Sequence, residues 1–133
     1  MKKFLLYASA LLLLTSCQES WEEKAAREAR EVTESKCPMP IGDNMYLDSI
    51  VFDIPTLTQT QYFRFTGKED NDSSAESKVK NNDLKGILVT ELKNTPSYKV
   101  LINKGITFRY LYGSTANTEK TYIDITITKE DYQ

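Results

Sequence analysis

Asp48, Asp53 and Asp124 are the residues with most to offer a reaction, because each stands in or beside a stretch of alternating polarity. Two carboxylates facing one another could supply the acid and the base of a glycoside hydrolysis. Little else in the chain supports chemistry. It holds no histidine, so the usual general base and the commonest metal ligand are both missing. Glu69-Asp70-Asn71-Asp72 puts three carboxylates among four residues and invites a calcium reading. A calcium loop needs alternating oxygen ligands, a glycine at its sharp turn and a terminal glutamate, and that spacing is absent after Asp70. A solvated loop over 67–78 is therefore expected, with no metal and no cofactor. No glycine-rich phosphate loop occurs. Asp48 and Asp124 share their alternation faces with tyrosines or threonines, which marks the wet side of a sheet more simply than a catalytic pair.

The elements that must position these residues begin after a processing segment. Lys2 and Lys3 precede an apolar run of eleven residues, Phe4 to Leu14. A bilayer-spanning helix needs about 20 apolar residues, so the run has the size of a signal-peptide core instead. It ends in Leu14-Thr15-Ser16-Cys17, which resembles the bacterial lipobox: an aliphatic residue, two small residues and a cysteine. The resemblance implies cleavage before Cys17, a diacylglycerol thioether on its sulfur and an acyl chain such as palmitate on its new amine. The acidic residues just beyond, Glu19, Glu22 and Glu23, loosely resemble the surface-export signal of Bacteroidota lipoproteins, and Gln18 is not the aspartate of inner-membrane retention. The implied location is the outer membrane, lipid-anchored, on its periplasmic or cell-surface face.

Removing Lys2 and Lys3 leaves 15 basic and 19 acidic side chains, a formal charge of −4. Nucleic acid, which calls for clustered positive charge, is excluded on that balance. With Cys17 lipidated, Cys37 is the last cysteine and no intrachain disulfide can form. A reactive thiol or an intermolecular bridge is one reading of Cys37. A small buried hydrophobe is the simpler one, since no histidine or second cysteine accompanies it.

Residues 18–36 are rich in helix formers, with Trp21, Ala25, Ala29 and Val32 on one narrow stripe. The helix is either a core element or a solvated stalk. The expected division is signal peptide 1–16, lipid attachment and helical tether 17–37, and globular domain 38–133. Pro38 and Pro40 enforce extended backbone before each. Period-two alternation over 46–54 and 57–66 predicts a hairpin, with Ile50, Phe52 and Ile54 on the same face as Tyr46 and Asp48. Leu84, Ile87, Leu88 and Leu92 have helical spacing behind a capping Asn82 or Asp83, although Gly86 weakens that helix by about 0.8 to 1.0 kcal/mol. Thr95-Pro96 opens a further short helix that Gly105 closes. Alternation over 105–113 and 121–129 predicts a second hairpin. The expected fold is α+β: a four-stranded antiparallel sheet of two hairpins with helices packed on one face.

That fold leaves a sheet face for binding. Thr58, Thr60, Tyr62 and Arg64 form one polar-aromatic row, and Arg109 and Tyr122 are placed on the corresponding faces of the second hairpin. Tyrosine and arginine are enriched at interfaces, although half-exposed strands also carry them for cross-strand pairing. The expected function is a non-catalytic envelope lipoprotein, either a subunit of an envelope complex or a small inhibitor or immunity factor. It would be held to the membrane through Cys17 and bind a protein partner. The alternative is a small envelope hydrolase with a carboxylate-only site.

Overall fold

The computed structural model describes residues 18–133. Cys17 and the segment before it lie outside the described residues. Helix α1 (Trp21–Lys36) begins at Ser20, whose side chain accepts the Glu23 N–H at 3.1 Å, the usual way of satisfying a free amide at a helix start. Strands β1 (Met39–Pro40), β2 (Met45–Asp53) and β3 (Thr58–Phe65) follow. A 3-10 turn leads into α2 (Asp72–Lys80) and α3 (Leu84–Asn94), and a second 3-10 turn precedes α4 (Lys99–Asn103). Strands β4 (Thr107–Ser114) and β5 (Thr121–Ile127) and the short α5 (Lys129–Tyr132) complete the chain.

The sheet has five strands in the order β1-β2-β3-β4-β5 and is mixed, not four-stranded and antiparallel as expected. Both hairpins form, β2 with β3 and β4 with β5. They join through a parallel β3–β4 pair, Thr58 beside Thr107 through to Phe65 beside Ser114. The helices between those strands carry the chain back to its starting end, and a crossover of that kind sets neighbouring strands parallel. The extra strand β1 arises where the chain, extended through Pro38 and Pro40, meets Leu47 and Tyr46.

Helices line one face. Phe65, Phe108, Ile106, Ile127 and Leu92 are fully buried between them and the sheet. Helix α1 presents Ala25 and Ala29 to this core, small enough for its backbone to approach β2, while Trp21 meets Phe52 edge-on at 6.2 Å. The stretch assigned above to a tether therefore contributes to the core. Farther along α1, Thr33 closes the strand edge beyond β1. The Ile50 N–H donates to its Oγ1 at 2.9 Å, and that hydroxyl also lies 3.0 Å from the Ile50 carbonyl. An edge strand left unpaired would expose those groups.

Three local readings need correcting. The polar stretch 67–78 is largely helical: Asn71 caps α2 by accepting the Ser74 N–H at 2.9 Å, Asp72 favours the first turn, and Ala75 is buried. A bulge between Leu47 and Ser49 turns Tyr46 and Asp48 away from the face that holds Ile50 and Phe52. A bulge beside Gly113 acts in the opposite sense on β5, bringing Tyr122 onto the helix side, against Phe65. An inserted residue inverts the alternation on one side of it, which period counting does not register.

Gly86 proves to be more than a weak point. Asp83, itself at φ 47°, caps α3 by accepting the Gly86 N–H at 3.3 Å, and a Cβ on Gly86 would collide with Asp83 Oδ2. The cap and an alanine at 86 exclude one another. Gly86→Ala alone is expected to leave the urea midpoint unchanged or lower. Its gain of about 0.8 to 1.0 kcal/mol should emerge only with Asp83→Gly, which removes the obstructing carboxylate. Equal gains in both backgrounds would contradict the cap.

Candidate functional site

The helix-free face gathers five of the six residues singled out above. Thr58, Thr60, Tyr62 and Arg64 alternate along β3, and Arg109 stands beside Thr60 on β4. Tyr62 is 40% exposed. Tyr122 does not join them. It lies on the helix side, its ring 6.1 Å from Phe65 and its hydroxyl donating to Asp70 Oδ1 at 2.8 Å.

Charge on this face is internally matched. Arg109 grips Asp124 with two hydrogen bonds, 3.0 and 2.7 Å, and these hold the Asp124 carboxyl below the usual carboxylate range. Arg64 donates to Asp48 at 2.8 Å, its guanidinium lying 4.5 Å above the Tyr46 ring. Asp53 is occupied by the Thr56 amide and hydroxyl in the β2–β3 turn. An open hollow of about 500 Å³ near Gly113 includes Asp48 as its single carboxylate. The two facing carboxylates that a hydrolase would need are not brought together. Among the described residues no cluster of three or more metal-ligating side chains occurs.

Asp70 illustrates where the acidic stretch does its work. A hydrogen bond from Ser114 and one from the Ala116 N–H depress its carboxyl, and the Tyr122 hydroxyl adds a third. A carboxyl lowered in the folded state stabilises the fold above its unfolded pKa, and that contribution disappears as pH falls through the folded value. Asp70→Asn should lower the urea midpoint at neutral pH and have little effect once the native carboxyl is protonated. A loss independent of pH would assign Asp70 a different role.

The stronger feature lies on the helix side. Between α3 and the start of β2 the sheet is incompletely covered, leaving a cleft of about 210 Å³. Gln61, Phe63, Tyr110 and Tyr112 line its strand side, Ile41 and Met45 lie toward β2, and Ile87 and Leu84 come from α3. The rings of Phe63 and Tyr112 stack at 4.8 Å and those of Phe63 and Tyr110 at 6.3 Å. Ile87 is 48% exposed, although it belongs to the helix's apolar stripe.

Polar groups interrupt this apolar lining. Gln61 is buried and donates to the Tyr98 hydroxyl at 3.1 Å. Tyr110 and Tyr112 are buried, and their hydroxyls have no hydrogen-bond partner among the described residues. Burial, then neighbouring Tyr98, Tyr112 and Glu91, pushes the Tyr110 phenol well up; burial and Glu91 do the same to Tyr112. Both remain protonated donors. At about 210 Å³ the cleft is smaller than the roughly 300–1,000 Å³ usual for small-molecule sites. Sequence reading missed it, although Gln59 and Gln61 on the otherwise apolar face of Leu57, Phe63 and Phe65 were a signal.

Residues 20–123 match the model of a Domain of unknown function (DUF8479). The chain belongs to that family. The matched region starts at the Ser20 cap and so includes α1 within the family's domain. Residues 1–18 match the prokaryotic membrane lipoprotein lipid attachment site, making the chain a lipid-anchored lipoprotein precursor. No curated protein matches it in sequence.

Solved structures share the fold. A protein described as secreted, PA3611 of Pseudomonas aeruginosa, superposes with a TM-score of 0.62 at 10% identity, covering 87% of this chain and 100% of its own. EpsS, the pilotin of the Vibrio vulnificus type 2 secretion system, gives 0.61 at 14% identity, with 84% and 91% covered. The type II secretion system pilotin AspS of Vibrio cholerae gives 0.57 at 16%, with 83% and 90% covered. At such identities the likeness is one of fold.

Proposed function

We propose that this protein is a non-catalytic accessory lipoprotein, anchored in the outer membrane through Cys17, that holds an apolar segment of an envelope protein in the cleft between α3 and β2–β3. The observation that carries this reading is the cleft: stacked aromatic rings, an exposed Ile87 and two lining tyrosines whose hydroxyls have no partner among the described residues. Apolar side chains of the segment would pack on Phe63 and Ile87, and its backbone carbonyls would accept from Tyr110 and Tyr112. Pairing of an aromatic pocket with a few fixed polar groups is how concave sites combine affinity with orientation. The pilotins of type II secretion systems that share this fold support an accessory role beside secretion machinery. The matched ion pairs of the outer sheet face favour the cleft over that face as the docking surface.

A photo-crosslinking residue at position 87, in the lipidated chain in living cells, should yield one discrete adduct. The adduct should vanish with Phe63→Ala, while the same probe at Tyr62 yields none. Adducts from Tyr62 with none from position 87 would move the interface to the outer face and overturn this reading.

A further inference from the structure

The end of the domain nearest the anchor has the composition of a membrane-facing surface. Only residues 18–20 separate Cys17 from Trp21. At about 3.3–3.6 Å per extended residue, Trp21 lies within roughly 14 Å of the attachment point. Trp21 packs on Phe52, and Lys104 Nζ stands 5.3 Å above its ring, so the start of α1 meets the end of α4 here. Val100, one helical turn before Lys104 on the same face of α4, is 62% exposed. Ile54, in the turn that follows Phe52, is 40% exposed. Tryptophan beside apolar and basic side chains is the usual composition of a membrane–water boundary.

Charge at this end favours an anionic surface. Lys99, Lys104 and Lys129 are exposed and form no ion pair among the described residues, and the Lys129 chain passes beside Gly105 at the close of α4. An adjoining hollow of about 440 Å³ is lined by Lys93, Lys99, Ile102 and Tyr132, among others, with no acidic residue. The nearby acids are engaged elsewhere: Glu19 with Arg27, Asp53 with Thr56, Glu130 with Thr128 and Asp131 with Lys85. Glu22 and Glu23 occupy the first turn of α1, where the helix dipole favours them.

We propose that this end, formed by Trp21, Ile54, Val100, Lys99, Lys104 and Lys129, seats directly on the bilayer that holds the lipid anchor. The domain then has a fixed orientation instead of tumbling on its leash. The loop joining β4 and β5, at the opposite end of those strands, points away from the membrane.

Trp21 is the sole tryptophan, so it reports on this surface directly. The lipidated protein would be reconstituted into phosphatidylethanolamine–phosphatidylglycerol vesicles carrying brominated acyl chains. Trp21 emission should fall about twofold, as for an indole at the headgroup level, and added salt should partly restore it. The combined variant Lys99→Glu, Val100→Ser, Lys104→Glu alters only exposed side chains and should abolish most of the quenching without moving the urea midpoint. Ala116→Trp in a Trp21→Phe background should remain unquenched. Absent quenching of Trp21, equal quenching in the triple variant, or equal quenching at position 116 would each overturn the proposal.

Discussion

Cys17→Ser is expected to abolish lipidation completely. The precursor should retain its first sixteen residues and gain no fatty-acyl mass, which intact-protein mass spectrometry reads directly. The expected effect is large because each methylene buried in the bilayer contributes about 0.8 kcal/mol, so a single acyl chain binds marginally and several on one residue bind almost permanently. No described helix is long and apolar enough to cross a membrane. The acidic balance of the mature chain offers the headgroups no substitute for those chains. The packed domain should be indifferent to the change, because the Ser20 cap and everything beyond it lie downstream of position 17. A Cys17→Ser protein that still acquired lipid would refute the assignment of the attachment site, whereas loss of lipid together with loss of folding would reveal an unsuspected role for the anchor in stability.

Phe65→Ala should cost about 3–5 kcal/mol, the range for deleting a buried aromatic ring. Phe65 is 1% exposed at the end of β3, between the sheet and α2. Its ring lies 5.5 Å from Tyr112 and 6.1 Å from Tyr122, with the Lys78 ammonium of α2 5.6 Å above it. Its carbonyl accepts from the Thr115 hydroxyl at 2.7 Å, fastening the β4–β5 loop to the same point. The strands on either side cannot close the gap, because β3 is held between β2 and β4. Domains of this size are stable by only about 5–15 kcal/mol, so the variant should approach marginal stability. Urea titration followed by Trp21 emission measures the loss, and Phe65→Leu should retain much of what alanine forfeits. A cost below that of the leucine variant would mean that the core relaxes around the site.

Much of this arrangement follows from pattern. The stripe of Trp21, Ala25 and Ala29 marks α1, the 84–92 spacing marks α3, and Gly105 at φ 71° ends α4 where a left-handed residue is needed. The Gly105 and Ile106 amides bond back to Ile102 and Leu101, completing that cap. What escaped notice depended on inserted residues or distant partners. Helix α2 has few apolar residues and forms because Asn71 caps it and Ala75 can be buried, not because of periodicity. Tyr46, Asp48 and Tyr122 changed sides through single bulges. The cleft draws Ile41, Phe63, Ile87 and Tyr112 from four separate segments, so no local window contains it. The β3 row of the outer face and Arg109 beside it were foreseeable because simple alternation determines them, and the two arginines turned out to be spoken for by Asp48 and Asp124.

The parallel pairing of β3 with β4 carries a kinetic consequence. Each hairpin joins strands that are neighbours in sequence, and hairpins of that kind close in about 1–10 μs. The central pair must wait until residues 66–106 have looped back, and contacts so far apart in sequence bear the greater closure entropy. Two halves can thus acquire local order before either has a shared core. Weakening α3 or α4 should slow this joining step while leaving the hairpins' own closure untouched. The seam between the halves is also where Phe63 meets Tyr110 and Tyr112, so the cleft should be among the last features of the molecule to assemble.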